Sequence, residues 1–392
     1  MAAIAARRLR TSVAPMVDVT DPCFLHLARL ISPFGHHQLW TEMIHANAFS
    51  RGRIHQSPGR LAQKVPLREL QDHASNVVVQ IGASAPDDAH TAVQELARLG
   101  VRHVNLNCGC PSRNVQMGSF GAVLMKSPAL VADIVAAMCA AGKGSGCRVS
   151  VKCRIGVDED ESPAFLRLFL SAIMASVPSD ADHLVDIVLH ARRAWLQGLS
   201  PKQNRNVPVL NHSRVYEMAR EFPHTSFIVN GGIDTVESVV EHLERADGVM
   251  IGRKIREDPW FLSAIDRHVH NVPESAIPSE SAVLSQYAQF ADEMHSMYGT
   301  RYSVLGRALA GFFQGRKGKA IRGHLSGAIS KAKRTGTGTE TDVAPAVQFS
   351  EVLYDAIHSA ELEFRARERA CAAEEKPTTS IEHESSQAAQ AC

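Results

Sequence analysis

The residues best suited to chemistry lie in the run Asn105-Leu106-Asn107-Cys108-Gly109-Cys110-Pro111-Ser112, which continues into Gly118-Ser119-Phe120-Gly121-Ala122-Val123-Leu124-Met125. An apolar, strand-like stretch here hands a thiol to a Gly/Pro-rich turn, and rigid strands ending in exposed turns are where barrel enzymes present reactive groups. Cys110 is therefore a candidate for proton or nucleophilic chemistry. The competing reading is a packed thiol, since free cysteine is commonly buried as a small hydrophobe. Gln80, Lys152 and His190 also stand at or near the ends of short apolar runs. Polar groups so placed can contact the ring of a planar cofactor, and a lysine among them can stabilise negative charge on it. The alternatives are a barrel-end salt bridge for Lys152, a satisfied core histidine for His190 and a turn contact for Gln80. Asn230-Gly231-Gly232 and Gly252-Arg253 follow two later runs, where glycine leaves backbone N–H groups accessible to a phosphate.

These groups need a scaffold that brings strand ends together. Eight short apolar runs are candidate strands: Ser12 to Val17, Gln38 to Glu42, Val77 to Gly82, His103 to Asn107, Val149 to Arg154, Ile187 to His190, Phe227 to Asn230 and Gly248 to Ile251. Segments with apolar residues three and four apart lie between most of them, including Ala89 to Leu99, Pro128 to Ala141, Ala164 to Ala175 and Val236 to Leu243. Eight alternations of strand and helix predict an α/β fold, a parallel (β/α)8 TIM barrel. A doubly wound open sheet shares the alternation, and the glycine turns after the seventh and eighth strands favour the barrel.

After Asp258-Pro259-Trp260 the pattern turns helical, over Ser281 to Tyr298, Val304 to Arg334 and Val347 to Ala373. The expected division is an N-terminal extension at 1–11, a catalytic barrel at 12–262, a helical domain at 263–373 and a disordered tail at 374–392. The helical part clusters Arg301, Arg307, Arg316, Lys317, Lys319, Arg322, Lys331, Lys333 and Arg334 around Phe312 and Phe313. Such a surface can neutralise phosphates or simply be solvated. Thr335 to Thr341 reads as a linker, and the tail lacks aromatics.

Composition narrows the classes. With 42 Lys+Arg against 41 Asp+Glu, the formal net charge of +1 excludes a global field for a polyanion, so contact with nucleic acid must be local. Eight cysteines without regular pairing read as reduced thiols of an intracellular protein. No C-x-x-C pair is present and Cys108-Gly-Cys110 has no evident further ligands, so no metal is expected. No apolar run is long enough to cross a membrane. The basic, acid-free start from Met1 to Arg10 could be the remnant of a mitochondrial signal; a cytoplasmic monomer is the expectation.

The motifs, in order and spacing, resemble those of the tRNA-dihydrouridine synthases. They are Ser12-Val-Ala-Pro-Met16, Trp40-Thr-Glu-Met43, Gln80-Ile-Gly82, the cysteine loop, Val151-Lys-Cys-Arg-Ile-Gly156, His190-Ala-Arg-Arg-Ala-Trp195, Gly198-Leu-Ser-Pro-Lys202, Asn230-Gly-Gly232 and Gly248-Val-Met-Ile-Gly-Arg253. The resemblance spans about Ser12 to Ser326, and the Gly198 to Lys202 and Arg154 to Asp158 forms are most similar to the bacterial-type subfamily acting at D-loop positions 20 and 20a. It implies a flavoprotein oxidoreductase in which NADPH reduces FMN, the flavin passes a hydride to C6 of a uracil in tRNA, and Cys110 protonates C5. Cys108 then occupies a variable position. It implies FMN contacts from Pro15, Met16, Val17, Gln80, Lys152, His190, Asn230, Gly231, Gly232, Gly252 and Arg253, and a uracil contact from Asn107. Ordinary thiols, with pKa about 8.5, are mostly protonated at neutral pH and suit general acid chemistry. The target base must leave its stack to be reached. Arg193, Lys202 and Arg205, with Arg307, Arg316 and Lys319, are the candidates to face RNA.

Where the family's cysteine loop often carries Asp-Arg and a second basic residue, this chain has Arg113-Asn114 and Ser119, so the loop's charge differs. Two rival readings share the scaffold: an FMN barrel oxidoreductase acting on a small pyrimidine-like metabolite, and a non-catalytic tRNA-binding protein. A colourless phosphate-binding lyase is a third.

Overall fold

The computed structural model describes residues 10–56, 58–73, 76–177, 184–335 and 347–374. Residues 1–9, most of the expected linker and the tail beyond 374 lie outside the described residues, as do the side chains of Lys333 and Arg334. Nine strands run in chain order: β1 (Arg10–Val13), β2 (His37–Trp40), β3 (Ile44–His45), β4 (Val77–Gly82), β5 (His103–Cys108), β6 (Arg148–Arg154), β7 (Leu184–His190), β8 (Ser226–Asn230) and β9 (Gly248–Ile251). Every pairing among them is parallel, from β2 through β1, β9, β8, β7, β6, β5 and β4, and a β2–β4 pairing closes the circle. The eight-stranded closed barrel is the TIM barrel expected from the alternation. The two-residue β3 adds to the outgoing end of β4, pairing Ile44 with Ile81.

Strand limits differ at the first two elements. β1 ends at Val13, and the chain from Pro15 bends into a turn closed by Val19 and Thr20 N–H bonds to the Met16 carbonyl. β2 ends at Trp40, where Thr41 uses its hydroxyl to donate to the Glu42 carbonyl and to accept from Gln80 N–H. Pro15 to Val17 and Glu42 thus leave the ladder to shape loops.

The helices form where local chemistry predicts. Residues 163–176 begin at a Ser162 cap that accepts from Phe165 N–H, with Pro163 at the first helical position, and bury Leu166, Phe169, Leu170 and Ile173 at helical spacing. Residues 236–243 start at a Thr235–Ser238 capping box. Inside the barrel, Ala14, Trp40, Val78, Val188, Ile228 and Met250 form an apolar cluster contributed by β2, β4, β7, β8, β9 and the end of β1. The β5–β6 side is polar: Gln80 donates to Asn105 at 2.8 Å, Asn105 donates to Ser150 at 2.9 Å, and Ser150 meets His103 at 2.7 Å. Burial drives His103 down to about 4, so this network contains a neutral imidazole.

The chain separates into two compact units, residues 1–312 with 348–350, and residues 313–347 with 351–392. Helices 261–268, 280–298 and 302–308 therefore group with the barrel, although the change of sequence pattern falls earlier, at Asp258-Pro259-Trp260. The second unit contains helix 315–335 and nearly all of helix 349–374. Within it, Lys317 bonds Glu361 and His324 bonds Glu363, both at 2.8 Å.

Candidate active site

Because all strands run the same way, the ends of β4 to β9 converge on one rim. The cysteine loop leaves β5 there. Asn107 Oδ1 accepts from the backbone N–H groups of Gly109 and Cys110, each at 3.0 Å, while its amide donates to Gln80 Oε1 at 2.8 Å. One side chain thus sets the turn and fastens it to the interior polar network. Ala122 N–H returns to the Cys110 carbonyl at 2.9 Å. Gly121 adopts φ +78°, and a Cβ there would stand 2.5 Å from the Cys110 carbonyl, so the return path requires glycine.

The two neighbouring thiols differ in burial. Cys108 is fully buried, and burial pushes its thiol well above the ordinary range. Cys110 is half-exposed, with Sγ 3.6 Å from Ser112 Oγ. The packed thiol is Cys108; the accessible one is Cys110.

Lys152, from β6, is half-buried and donates to Asn230 Oδ1 at 2.9 Å; Asn230 in turn donates to the Met250 carbonyl at 2.8 Å. This joins β6, β8 and β9 without a carboxylate, in place of the salt bridge considered for Lys152. Burial, reinforced by the Arg154 charge, lowers Lys152 to about 7. Burial and the charges of Arg154, Lys152, Arg192 and Arg253 hold His190 neutral, well below its usual range. Gly231 presses against that ring: it has φ +109°, and a Cβ there would stand 2.6 Å from His190 Cδ2. The Gly231 carbonyl is held by His212 at 2.7 Å.

Beyond Gly231 lies a group of cations. Arg205 is depressed first by partial burial and then by the Arg253 charge, and Arg192 likewise. Their hydrogen bonds go to neutral acceptors: Arg192 to the carbonyls of Pro208 and Asn206, and Arg253 to Asn206 Oδ1 and the Arg205 carbonyl. Like charges held together, with the bonds shown for Arg192 and Arg253 among the described residues going to neutral acceptors, make an electrostatic seat for an anion. The Met16 sulfur and Ala14 border this region, 3.6 Å and 3.3 Å from where a Cβ on Gly252 would stand. Val17 is largely exposed.

Arg154 is the residue that motif reading quoted without assigning a role. Its guanidinium is buried and donates to three main-chain carbonyls: Gly109 at 3.1 Å, Arg193 at 3.1 Å and Asn204 at 2.9 Å. Burial lowers it to about 10. Gln116 adds a second tie, donating to the Pro111 and Leu196 carbonyls at 2.8 and 2.9 Å. Asp158, at φ +49°, accepts from Leu196 N–H at 2.8 Å and pairs with Lys126 at 2.6 Å. Buried Asn204 exchanges hydrogen bonds with Trp195 N–H and carbonyl at 2.7 and 2.9 Å. The spacing of the Arg-Ile-Gly-Val-Asp and His-Ala-Arg-Arg-Ala-Trp motifs was the available signal.

The basic residues expected to face RNA separate by surroundings. Arg193 stacks over Trp195 at 4.5 Å and pairs with Glu161 at 3.3 Å. Lys202 and Arg205 are exposed on the following loop. Arg307 pairs with buried Asp21 at 2.9 Å, and Asp18 lies 3.9 Å away, so it fastens the loop after β1. Arg316 and Lys319 are exposed on the second unit.

A closed parallel barrel whose rim holds an accessible thiol, a half-buried lysine and a glycine-bordered arginine group defines a (β/α)8-barrel enzyme. The sequence profile of the dihydrouridine synthases matches residues 12–344, and the chain belongs to that oxidoreductase family. A tRNA-dihydrouridine(20/20a) synthase of Xanthomonas axonopodis pv. citri is 39% identical over 336 residues, covering 86% of this chain and 92% of that one. One of the same description from Shewanella oneidensis is 37% identical over 330 residues, covering 84% and 90%. Among solved structures, an old yellow enzyme homologue from Zymomonas mobilis aligns with 68% of this chain and 89% of its own at 12% identity and a TM-score of 0.44.

Proposed function

We propose that this protein is a tRNA-dihydrouridine synthase that reduces the C5–C6 bond of D-loop uridines at positions 20 and 20a, using FMN and NADPH. The accessible Cys110 on a turn fixed by Asn107 and Arg154 carries the reading, with the names of the relatives supplying the base and its position.

The residues present fit FMN. The glycine backbone at 231 approaches His190 more closely than any side chain would allow, and among the described residues the hydrogen bonds shown for Arg192 and Arg253 go to neutral acceptors. Arg253 and the backbone of Gly231, Gly232 and Gly252 would hold its phosphate; Gln80, Lys152, His190, Asn230 and the Pro15 to Val17 turn would hold its ring. When bound, FMN supplies hydride chemistry between NADPH and C6 of the uracil.

Cys110 donates its thiol proton to C5, completing saturation of the double bond and leaving a thiolate. Lys152, Arg154 and Arg205 lie within electrostatic reach of Cys110. The remaining N–H of the Asn107 amide is available to the uracil, its oxygen being engaged by the turn. Arg193, Lys202 and Arg205 serve as phosphate contacts that bring the flipped base to the rim, and Arg316 and Lys319 of the second unit offer that unit's own basic surface to tRNA.

The test is anaerobic. Flavin reduced by NADPH should be reoxidised on adding unmodified tRNA, with dihydrouridine formed. In Cys110→Ala that step should slow about 10²- to 10⁴-fold, the range for loss of a general acid, while reduction by NADPH stays normal. Reoxidation by free pyrimidines and not by tRNA would favour the small-metabolite reading instead.

A further inference from the structure

The end of the barrel opposite Cys110 holds a second cluster of chemical groups. Among the described residues, His36, Asp266 and His270 are the one group of three His, Cys, Asp or Glu side chains whose ligand atoms all lie within 4.8 Å of one another. His36 immediately precedes β2, whose first residue His37 pairs with Thr11 of β1, so the cluster belongs to the strand starts. Asp266 sits on helix 261–268, and His270 follows it.

Asp266 is fully buried. Its Oδ1 meets His36 Nδ1 at 2.8 Å and lies 3.2 Å from His37 Nε2, whereas Oδ2 makes no bond of good geometry although the Ser32 hydroxyl faces the carboxylate. Buried carboxylate oxygens are normally well satisfied, and this one has only that hydroxyl at hand. The His36 and His270 rings stack with centroids 4.2 Å apart. His37 is held from behind by Thr11 Oγ1 at 2.6 Å, as an outer-shell histidine that orients a ligating carboxylate would be. His36 is 32% exposed, leaving an entry path and room for a water ligand.

We propose that His36, Asp266 and His270 bind one divalent first-row transition-metal ion of the Zn²⁺ type, with His37 supporting Asp266 and water completing the coordination. Two imidazoles and one carboxylate suit such an ion rather than Mg²⁺ or Ca²⁺, which favour oxygen. Bonds of about 2.0–2.2 Å require the two partly exposed rings to close inward on the ion. The ion ties the start of β2 to helix 261–268 at the face of the barrel concerned with stability rather than catalysis. This site runs against the sequence expectation of no metal, and it is independent of the flavin reading.

The experiment uses untagged full-length protein stripped with chelator. Titration with Co²⁺ should give visible d–d absorption saturating at one equivalent, without the thiolate charge-transfer band of a cysteine site, and Zn²⁺ should displace it. His36→Gln and His270→Gln should each weaken binding at least tenfold, whereas His358→Gln, on an exposed face of helix 349–374, should not. The thermal midpoint should rise by a few degrees with Zn²⁺, and that rise should vanish in the two variants. Circular dichroism checks that both variants are folded. Absence of saturable one-equivalent binding, binding undiminished in the variants, or a thiolate band would each overturn the proposal.

Discussion

The Arg154 guanidinium donates to the carbonyl of Gly109, one residue before Cys110, at 3.1 Å. The same group reaches the Arg193 and Asn204 carbonyls. The cysteine turn, the segment after β7 and the Asn204 loop are therefore all positioned by one side chain on β6.

Arg154→Met should slow tRNA reduction by ten- to a hundredfold while leaving NADPH oxidation by bound flavin nearly normal. Three carbonyls lose a charged donor, at about 1–3 kcal/mol for each one left unsatisfied. Alkylation of Cys110 by iodoacetamide reports the turn directly. Unchanged alkylation and turnover in a folded variant would show that the turn holds without Arg154.

Asn107→Ala removes the acceptor for two backbone N–H groups and the donor to Gln80. A loss of about 1–3 kcal/mol in stability is expected, with turnover falling at least tenfold. Asn107→Asp keeps the acceptor and should restore much of the stability but not the turnover. Urea unfolding and single-turnover rates separate the two effects, and equal stability of the two variants would contradict the turn-setting role.

Gly231→Ala forces a Cβ toward His190 at a backbone angle that favours glycine. Destabilisation of about 1–3 kcal/mol is expected from strain alone. FMN affinity, read by fluorescence titration, should drop more than in Gly198→Ala, where φ is also positive but no atom lies near. Equal flavin affinity in the two variants would remove Gly231 from the cofactor seat.

The pKa of Lys152 lies near 7 in the folded protein, below its ordinary 10.5, chiefly through burial. Between those values the unfolded chain carries a proton that the folded chain has released, so stability of the flavin-free protein rises with pH from about 7. Above pH 9 buried thiols such as Cys153, raised to about 12, act in the opposite sense. Urea midpoints from pH 7 to pH 9 should therefore climb, and Lys152→Met should flatten the climb. Parallel slopes in wild type and variant would refute the assignment.

Much of the barrel was readable because β4 is an apolar run bounded by turn residues, because β5 alternates polar and apolar residues, and because glycines at 231 and 232 mark a backbone that other residues strain to adopt. The thiol's turn was readable too, and the resemblance pointed to Cys110 rather than Cys108; the two differ in burial, which no sequence pattern showed. Arg154 escaped assignment because its partners are main-chain carbonyls 45, 39 and 50 residues away, which leave no side-chain signature. Arg307 was grouped with neighbouring cations by composition, but its partner Asp21 lies 286 residues away. The His36 and Asp266 pair was invisible for the same reason, being 230 residues apart.

The alternation of His103, Asn105 and Asn107 along β5 puts three polar side chains into the interior network, with Val104, Leu106 and Cys108 between them. A one-residue insertion or deletion within this strand would exchange the two sets, sending amides under the helices and aliphatic chains into the polar half of the barrel. The length of this strand is consequently fixed by its own pattern, whereas the loop it feeds carries no such two-sided constraint.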